Sequence, residues 1–302
     1  MLADPGALDR PARGRLLAGA PIAADLRAEV RAAVEAFRGR HGYTPALAAL
    51  VLGRSEPFAR YLQQILRACA SVGLEGREVH VEGRVSAARV RAELCRLNAD
   101  PHVAGIIVQQ PLPRGLSPRV VTETLDPAKD VDGLTPLNTG LVTLGYGGFA
   151  PATAEATLEI LRRSGVSLEG LHAVIVGRSH VVGRPVAQLL LREHCTVTIC
   201  HRRTRELVSH TRQADVLVVA AGAPGLVTGE MLKPGAVVVD VGTSVIDGRV
   251  VGDVESESAA RVAAAITPVP GGVGPVTNAV LMQHVIRAAE VQARASRRAA
   301  TP

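Results

Sequence analysis

From Gly14 onward the chain alternates helical stretches with short β-branched or apolar runs, and this alternation restricts the fold more than any other feature. IAADLRAEVRAAVEAFRGRHG has helical periodicity and ends at glycine, and ALAALVLG follows it as a buried strand. A helix over 55–73 comes next, then a strand in REVHVEG, a helix in SAARVRAELCRLNAD, a strand in VAGIIVQQPLP and a helix in SPRVVTETL. Strand and helix repeating in this order predict an α/β architecture, a parallel sheet with helices on both faces. After the helix AEATLEILRRSG a second series begins: HAVIVG, PVAQLLLREH, TVTICH, RELVSHTRQ, DVLVVAAG and AVVVDVG. Its order fits a nucleotide-binding fold. Between the two series, DPAKDVDGLTPLNTGLVTLGYGGFAPAT is rich in Gly, Pro, Asp and Thr and reads as an inter-domain connection. The closing GPVTNAVLMQHVIRAAEVQARA is a long helix that can cross back onto the first domain. Two domains are therefore expected, one over 14–148 plus 276–302 and one over 149–275, and 302 residues are enough for each to have a core.

Charge and aromatic content narrow the partners. The net charge is +6, and all but two of the 34 basic residues are arginine, the exceptions being Lys129 and Lys233. Three Phe, three Tyr and no Trp are too few for the stacking platforms of nucleic-acid binders, so anionic small molecules fit the basic balance better. Cys69, Cys95, Cys195 and Cys200 show no CxxC spacing, which indicates neither a metal site nor a disulfide framework and fits a reducing cytoplasm. No apolar run reaches the length of a membrane span. MLADPGALDRPARGR lacks the apolar centre of a signal peptide and reads as a loose leader.

The second domain carries a candidate dinucleotide site. The strand Val174-Ile175-Val176 runs into GRSHVVGRP, where Gly177 suits a tight turn, Gly183 a close backbone approach and Pro185 the first turn of the next helix. Arg178 and Ser179 lie in that turn, and a pyrophosphate is expected at the helix N-terminus. The spacing is not G-x-G-x-x-G, so a plain strand-turn-helix would also account for it. About two dozen residues past Gly177, where an NAD enzyme often has an acid on the ribose, stand His201, Arg202 and Arg203. Arginines hold a 2′-phosphate that an acid would repel, so Arg178 and Arg202 favour NADP. A solvated basic turn would equally account for Arg203.

Three more segments, VQQPLP over 108–113, KDVDG over 129–133 and TPVPGGVGP over 267–275, complete a set. Together with GRSHVVGRP they make the chain resemble the methylenetetrahydrofolate dehydrogenase/methenyltetrahydrofolate cyclohydrolase family, in matching order across residues 15–290 or so. The resemblance implies an N-terminal parallel-sheet catalytic domain, a C-terminal Rossmann-type NAD(P)-binding domain, an active site in the cleft between them and a homodimer. It also implies two steps in one pocket: hydride transfer from methylenetetrahydrofolate to the nicotinamide, then hydration of the methenyl cation to 10-formyltetrahydrofolate. By the same resemblance Tyr61, Gln109 and Asp132 match a stacking tyrosine, a glutamine and an aspartate that binds the pterin's amino edge. Pro270, Gly271, Gly272, Gly274 and Pro275 would approach folate and nicotinamide, and Gly242 and Thr243 would line the cofactor. Physical chemistry suits these roles: Tyr61 has a flat π-face, Gln109 a donor and an acceptor, and Asp132 an acceptor pair. Packing would also account for Tyr61, on an apolar helical face with Leu62, Ile65, Cys69 and Val72, and turn formation for Asp132 before Gly133.

The chain departs from the family pattern at several pocket positions. Ile65 occupies the place of the lysine four residues after the tyrosine, and Phe58 that of a serine. The segment matching PCTPxG reads Pro151-Ala152-Thr153-Ala154-Glu155-Ala156, and DVGIN reads Asp240-Val241-Gly242-Thr243-Ser244. Hydrating a methenyl cation needs a group that positions water and takes its proton, and an isoleucine cannot do so. Hydride transfer depends on alignment and does not require that amine. The expectation is an NADP-dependent methylenetetrahydrofolate dehydrogenase with its cyclohydrolase step impaired or lost. Two other readings stay open: a specialised paralogue acting on another one-carbon adduct or imine, and a non-catalytic NADP-binding protein.

Overall fold

The computed structural model describes residues 14–53, 56–81 and 83–300. The leader expected at the N-terminus lies almost wholly outside them. In chain order the elements are β1 (Arg15–Leu16), α1 (Gly19–His41), β2 (Ala46–Val51), α2 (Glu56–Val72), β3 (Glu75–His80), α3 (Ala87–Ala99), β4 (Val103–Val108), α4 (Pro118–Thr122), α5 (Pro136–Leu144) and α6 (Ala152–Arg163). They continue as β5 (His172–Val176), α7 (Gly183–Arg192), β6 (Thr196–Cys200), α8 (Leu207–Thr211), β7 (Val216–Val219), β8 (Val237–Asp240), β9 (Ser244–Ile246), β10 (Arg249–Val251), α9 (Ser256–Ala259), β11 (Ala265–Ile266) and α10 (Val273–Ala300). The chain divides after Ile22, Ala152 and Val276, and alternate pieces join to form two compact units.

In the unit built from 23–152 and the segment after Val276, a three-stranded parallel sheet runs in the order β3-β2-β4. Every residue of β2 and β4 is buried, which is why both read as unbroken apolar runs instead of alternating. Strand β3 lies at the sheet edge, and its alternating charged residues are mostly exposed. Helix α3 buries Val90, Leu94 and Leu97 at helical spacing against Leu50, Ile106 and Val108, and Ser86 caps its start by accepting the Arg89 N–H. Helix α2 buries Leu62, Ile65, Cys69 and Val72 on one face.

The 126–153 stretch, expected as an irregular connection, contains helix α5. Thr135 is its N-cap, Pro136 opens the first turn and Gly145 closes it in the left-handed region at φ 75°. Only Asn138 and Val142 of this helix are buried, so the apolar period that would announce it is weak. Its caps were the readable signal.

In the other unit, six strands run in the order β1-β11-β8-β7-β5-β6, every pair parallel. The chain leaves β5 for β6 on one side and returns to β7 on the other, so the strand order switches beside β5. In such sheets ligands bind at the carboxyl ends of the strands flanking that switch. The core packs Val174, Val176, Leu217, Val219 and Val238 against Leu232, Val254 and Ile266. Strand β1, expected with the first domain, belongs to this sheet, with Arg15 opposite Ala265 and Leu16 opposite Ile266. Two residues are too short to show a strand pattern, and the pairing rests on backbone bonds such as Leu17 N–H to the Ile266 carbonyl at 2.8 Å. Strands β9 and β10 form a hairpin whose turn residues Asp247 and Gly248 have φ 50° and 75°, as a two-residue Asp-Gly turn requires.

Candidate active site

In the three-stranded unit the candidate residues come from the start of α2, the end of β4 and the loop before α5. Tyr61 is 39% exposed on α2, while Ile65, one turn on, is 0% exposed and enclosed by the core. Burial first, and then the charge of Asp132, hold the Tyr61 hydroxyl well above its usual pKa, so it stays protonated. The same interaction brings Tyr61 and Asp132 into one electrostatic neighbourhood. Phe58 is buried with its ring 6.4 Å from that of Tyr61, and it lines a cavity of about 470 Å³ with Val51, Leu62, Val81 and Val85.

Gln109 is buried at the end of β4, and its Oε1 accepts the Leu52 N–H at 2.8 Å. One acceptor site of the amide oxygen is taken by the backbone, which fixes the side chain and leaves its NH₂ without a protein partner among the described residues.

The charged residues of KDVDG separate by function. Lys129 is buried, and its ammonium donates to the Leu97 carbonyl at 3.1 Å and the Asp100 carbonyl at 2.6 Å. Asp130 is wholly buried and accepts from the N–H groups of Leu134 and Thr135, the Thr135 hydroxyl and the Asn138 amide, at 2.7–2.9 Å. Asp132 accepts one bond, from the Ala152 N–H to Oδ1 at 3.2 Å. Its Oδ2 has no protein donor among the described residues. Burial, opposed by the Ala152 N–H, reinforced by Asp130 and slightly eased by His284, pushes the Asp132 carboxyl up to about 6. Gly133 has no side chain because a Cβ there would lie 2.4 Å from the Phe149 carbonyl oxygen, and this close passage sets Asp132 beside Ala152. Behind the loop, the His284 ring holds the Val131 carbonyl at 2.8 Å.

In the six-stranded unit the turn after β5 is packed to its limit. A Cβ on Gly177 would stand 2.2 Å from the Ala220 carbonyl oxygen, and one on Gly183 would stand 2.2 Å from that of Gly177. The expectation for the start of α7 changes in detail. Ser179 takes its leading N–H groups, its hydroxyl accepting from Val182 and Gly183 at 3.1 and 3.4 Å and its carbonyl from Arg184 at 3.1 Å. The N–H groups of residues 178–181 have no protein acceptor among the described residues. An anion at this turn would therefore meet the loop amides and the exposed Arg178, at the positive end of a ten-residue helix whose Pro185 is buried in its first turn. The turn fits the diphosphate of a dinucleotide.

His201 follows β6, where its Nδ1 accepts the Arg203 N–H at 3.1 Å and its own N–H donates to the Thr204 hydroxyl at 2.9 Å. With Nδ1 accepting, Nε2 is the ring's remaining donor, and the neighbouring Arg202 and Arg203 are exposed. Gly242 is buried because a Cβ would lie 2.3 Å from the Asp253 carboxyl carbon, and the neighbouring Thr243 is exposed. In PGGVGP, a Cβ on Gly272 would stand 2.6 Å from the Pro268 carbonyl oxygen and the Gly271 carbonyl accepts the Gly19 N–H, whereas a Cβ on Gly274 would meet open space. Pro270, exposed, and Pro275, half-buried, flank these glycines.

Sequence reading did not single out Lys129, Asp130, Asp240, Asp253 or His284 as organisers of these loops. The signal available for Asp240 and Asp253 was position: each lies within two residues of a glycine just after a strand or at its end. Among the described residues, no three or more His, Cys, Asp and Glu side chains gather to hold a metal ion, and no helix is long and apolar enough to cross a membrane.

Two family profiles match the chain: the tetrahydrofolate dehydrogenase/cyclohydrolase catalytic domain over residues 17–132 and the NAD(P)-binding domain of the same family over 151–293. The bifunctional protein FolD of Roseiflexus sp. (strain RS-1) is 45% identical over 92% of this chain and 96% of its own. FolD 1 of Rubrobacter xylanophilus is 46% identical over 92% and 98%. Among solved structures, the FolD methylenetetrahydrofolate dehydrogenase/cyclohydrolase of Campylobacter jejuni matches with a TM-score of 0.89 at 36% identity, covering 91% of this chain and 98% of that one. The Trypanosoma brucei enzyme, solved with NADP cofactor and an inhibitor, matches with a TM-score of 0.87 at 34% identity, covering 93% and 99%.

Proposed function

Because the chain belongs to the tetrahydrofolate dehydrogenase/cyclohydrolase family, we propose that it oxidises 5,10-methylenetetrahydrofolate to 5,10-methenyltetrahydrofolate with NADP, and that its cyclohydrolase step is impaired or lost. Bound NADP⁺ would accept a hydride, a proton with two electrons, from the one-carbon bridge, whose carbon would then share in a delocalised cation between two nitrogens. The remaining roles fall to the chain. Tyr61 gives the pterin a flat face. Asp132, once ionised, accepts from its N–H-rich edge, and the Gln109 NH₂ donates to a ring acceptor. The loop amides of 178–181 and Arg178 hold the diphosphate, while His201, Arg202 and Arg203 favour a cofactor with a 2′-phosphate.

The observation that carries the split between the two steps is Ile65. It stands fully enclosed where an amine would activate water, and neither lysine replaces it. Lys129 is tied to two backbone carbonyls, and Lys233 is paired with Asp215. Loss of such a base costs ~10²–10⁴ in rate. Purified protein supplied with methylenetetrahydrofolate and NADP is expected to accumulate the methenyl product. Appearance of 10-formyltetrahydrofolate faster than spontaneous hydrolysis would defeat the split.

A second reading keeps fold and cofactor but changes the one-carbon adduct, and Phe58 beside Tyr61 favours it. Efficient turnover of methylenetetrahydrofolate removes the reason to hold it. The protein is read as a cytoplasmic homodimer. The exposed edge of β3 supports pairing with a second copy, and the four free cysteines suit a reducing compartment. Sedimentation of the purified protein decides its oligomeric state.

A further inference from the structure

The carboxyl ends of β5 and β7 present two runs of consecutive backbone N–H groups, and the molecule treats them oppositely. Those of residues 178–181 are left open. Those of Ala221, Gly222 and Ala223 are closed by one side chain, Asp253, whose Oδ2 accepts from Ala221 at 2.6 Å and Gly222 at 2.7 Å and whose Oδ1 accepts from Ala223 at 2.8 Å. Asp253 is 0% exposed. Successive amides converging around a left-handed residue, here Gly222 at φ 65°, form a concavity that attracts anions. Beside a diphosphate site, an open second concavity would compete for the same phosphates.

The position of Asp253 is itself held. Its own N–H and that of Val254 donate to the Asp240 carboxylate, at 3.1 and 2.9 Å, and Asp240 also takes the Gly242 N–H. Backbone bonds from Val227 to Asp253 and from Glu255 to Val227 hold the segment independently of the side chain. The loop it anchors continues directly from Ala220, whose carbonyl oxygen lies 2.2 Å from where a Gly177 Cβ would be. A shift of 221–223 therefore reaches the Gly177 turn through one residue.

We propose that Asp253 is a positioning residue of the cofactor site: its carboxylate fills the amide concavity after β7, fixes that loop against the Gly177 turn and directs the phosphates of the dinucleotide to the open amides of 178–181. The proposal rests on reading this unit as the nicotinamide cofactor site. Asp253 does not touch the reacting atoms.

The test titrates full-length protein with NADPH, following its fluorescence, for the unaltered chain, Asp253→Asn, Asp253→Ala and a control, Val254→Ala, which loosens the same core but keeps the carboxylate. The unaltered protein and the control are expected to bind alike. Both Asp253 variants should bind about tenfold more weakly, since an amide or methyl leaves backbone donors facing no anion, and the KM for NADP should rise by that factor with a smaller change in kcat. Binding by the Asp253 variants equal to that of the control overturns the proposal. Failure of the unaltered protein to bind NADPH overturns the cofactor reading instead. Should neither Asp253 variant fold, amide hydrogen exchange on the unaltered protein decides. The Ala221, Gly222 and Ala223 amides should be protected without cofactor and gain nothing from NADPH, while those of 178–181 gain protection with it. Protection of 221–223 that arises only with NADPH overturns the proposal.

Discussion

Asp130 and Asp132 stand two residues apart in one loop, and Asp240 and Asp253 stand together in the other unit, yet only one of the four keeps a carboxylate oxygen to spare. Asp130, Asp240 and Asp253 each take three or more donors and hold backbone in place. Asp132 takes one, and burial with too few donors is what raises its pKa to about 6. The contrast teaches that residue type does not separate a scaffold acid from one available to a ligand: the three acids with three or more donors are buried, whereas Asp132, with one, is half-buried. Gln109 repeats the division within a single side chain, its oxygen bound to Leu52 and its NH₂ unspent.

The largest test of that contrast restores a polar group to the substrate face. Ile65→Lys combined with Phe58→Ser is expected to raise methenyl hydration by ~10²–10⁴, the range of a well-placed base. Ile65→Lys alone should lower the melting temperature, because an ammonium at a wholly enclosed position must shed its water. An unchanged hydration rate in a folded double variant would show that Ile65 does not limit the hydration step.

Next in size, Asp130→Ala strands the donors of Leu134, Thr135 and Asn138 and should cost on the order of 3 kcal/mol of stability, read from a urea midpoint. Asp132→Asn should instead spare stability and weaken folate binding about tenfold or more, as the loss of a charge-assisted bond does. Comparable destabilisation by the two variants would erase the distinction between them.

A smaller effect follows from pH. The folded Asp132 carboxyl has a raised pKa, so its protonated form contributes stability that is complete below about 4, the pKa of an unperturbed aspartate. That contribution is lost as pH rises through about 6. Folate affinity should run the other way, increasing through about 6 as Asp132 ionises. Asp132→Asn should flatten both curves, and a pH profile of binding identical in parent and variant would remove Asp132 from the site. Smallest of all, Thr135→Ala should cost about 2 kcal/mol through the lost N-cap of α5 and the lost hydroxyl bond to Asp130, with folate affinity at saturating pH unchanged.

Much of the fold was legible because period and punctuation are local. Unbroken apolar runs announced β2 and β4 as strands, both of them buried, and the Gly177 to Pro185 spacing announced the turn after β5. Elements with little buried surface were not legible. Helix α5 shows its caps but hardly a period, and β1 is two residues long. At the candidate site, Tyr61, Gln109, Asp132 and the displaced lysine position could be picked out from their motifs. Which end of Gln109 is spare, and that Ser179 uses the leading amides of α7, could not.

The sequence by itself determined two α/β series, a glycine turn for a dinucleotide, and an aliphatic residue one turn after Tyr61, since each depends on residue type at short spacing. The tertiary structure alone decided which acids are free. Asp130, Asp132, Asp240 and Asp253 have identical side chains, and each acquires its role from backbone donors that only the folded chain delivers, some of them about 30 residues away in sequence.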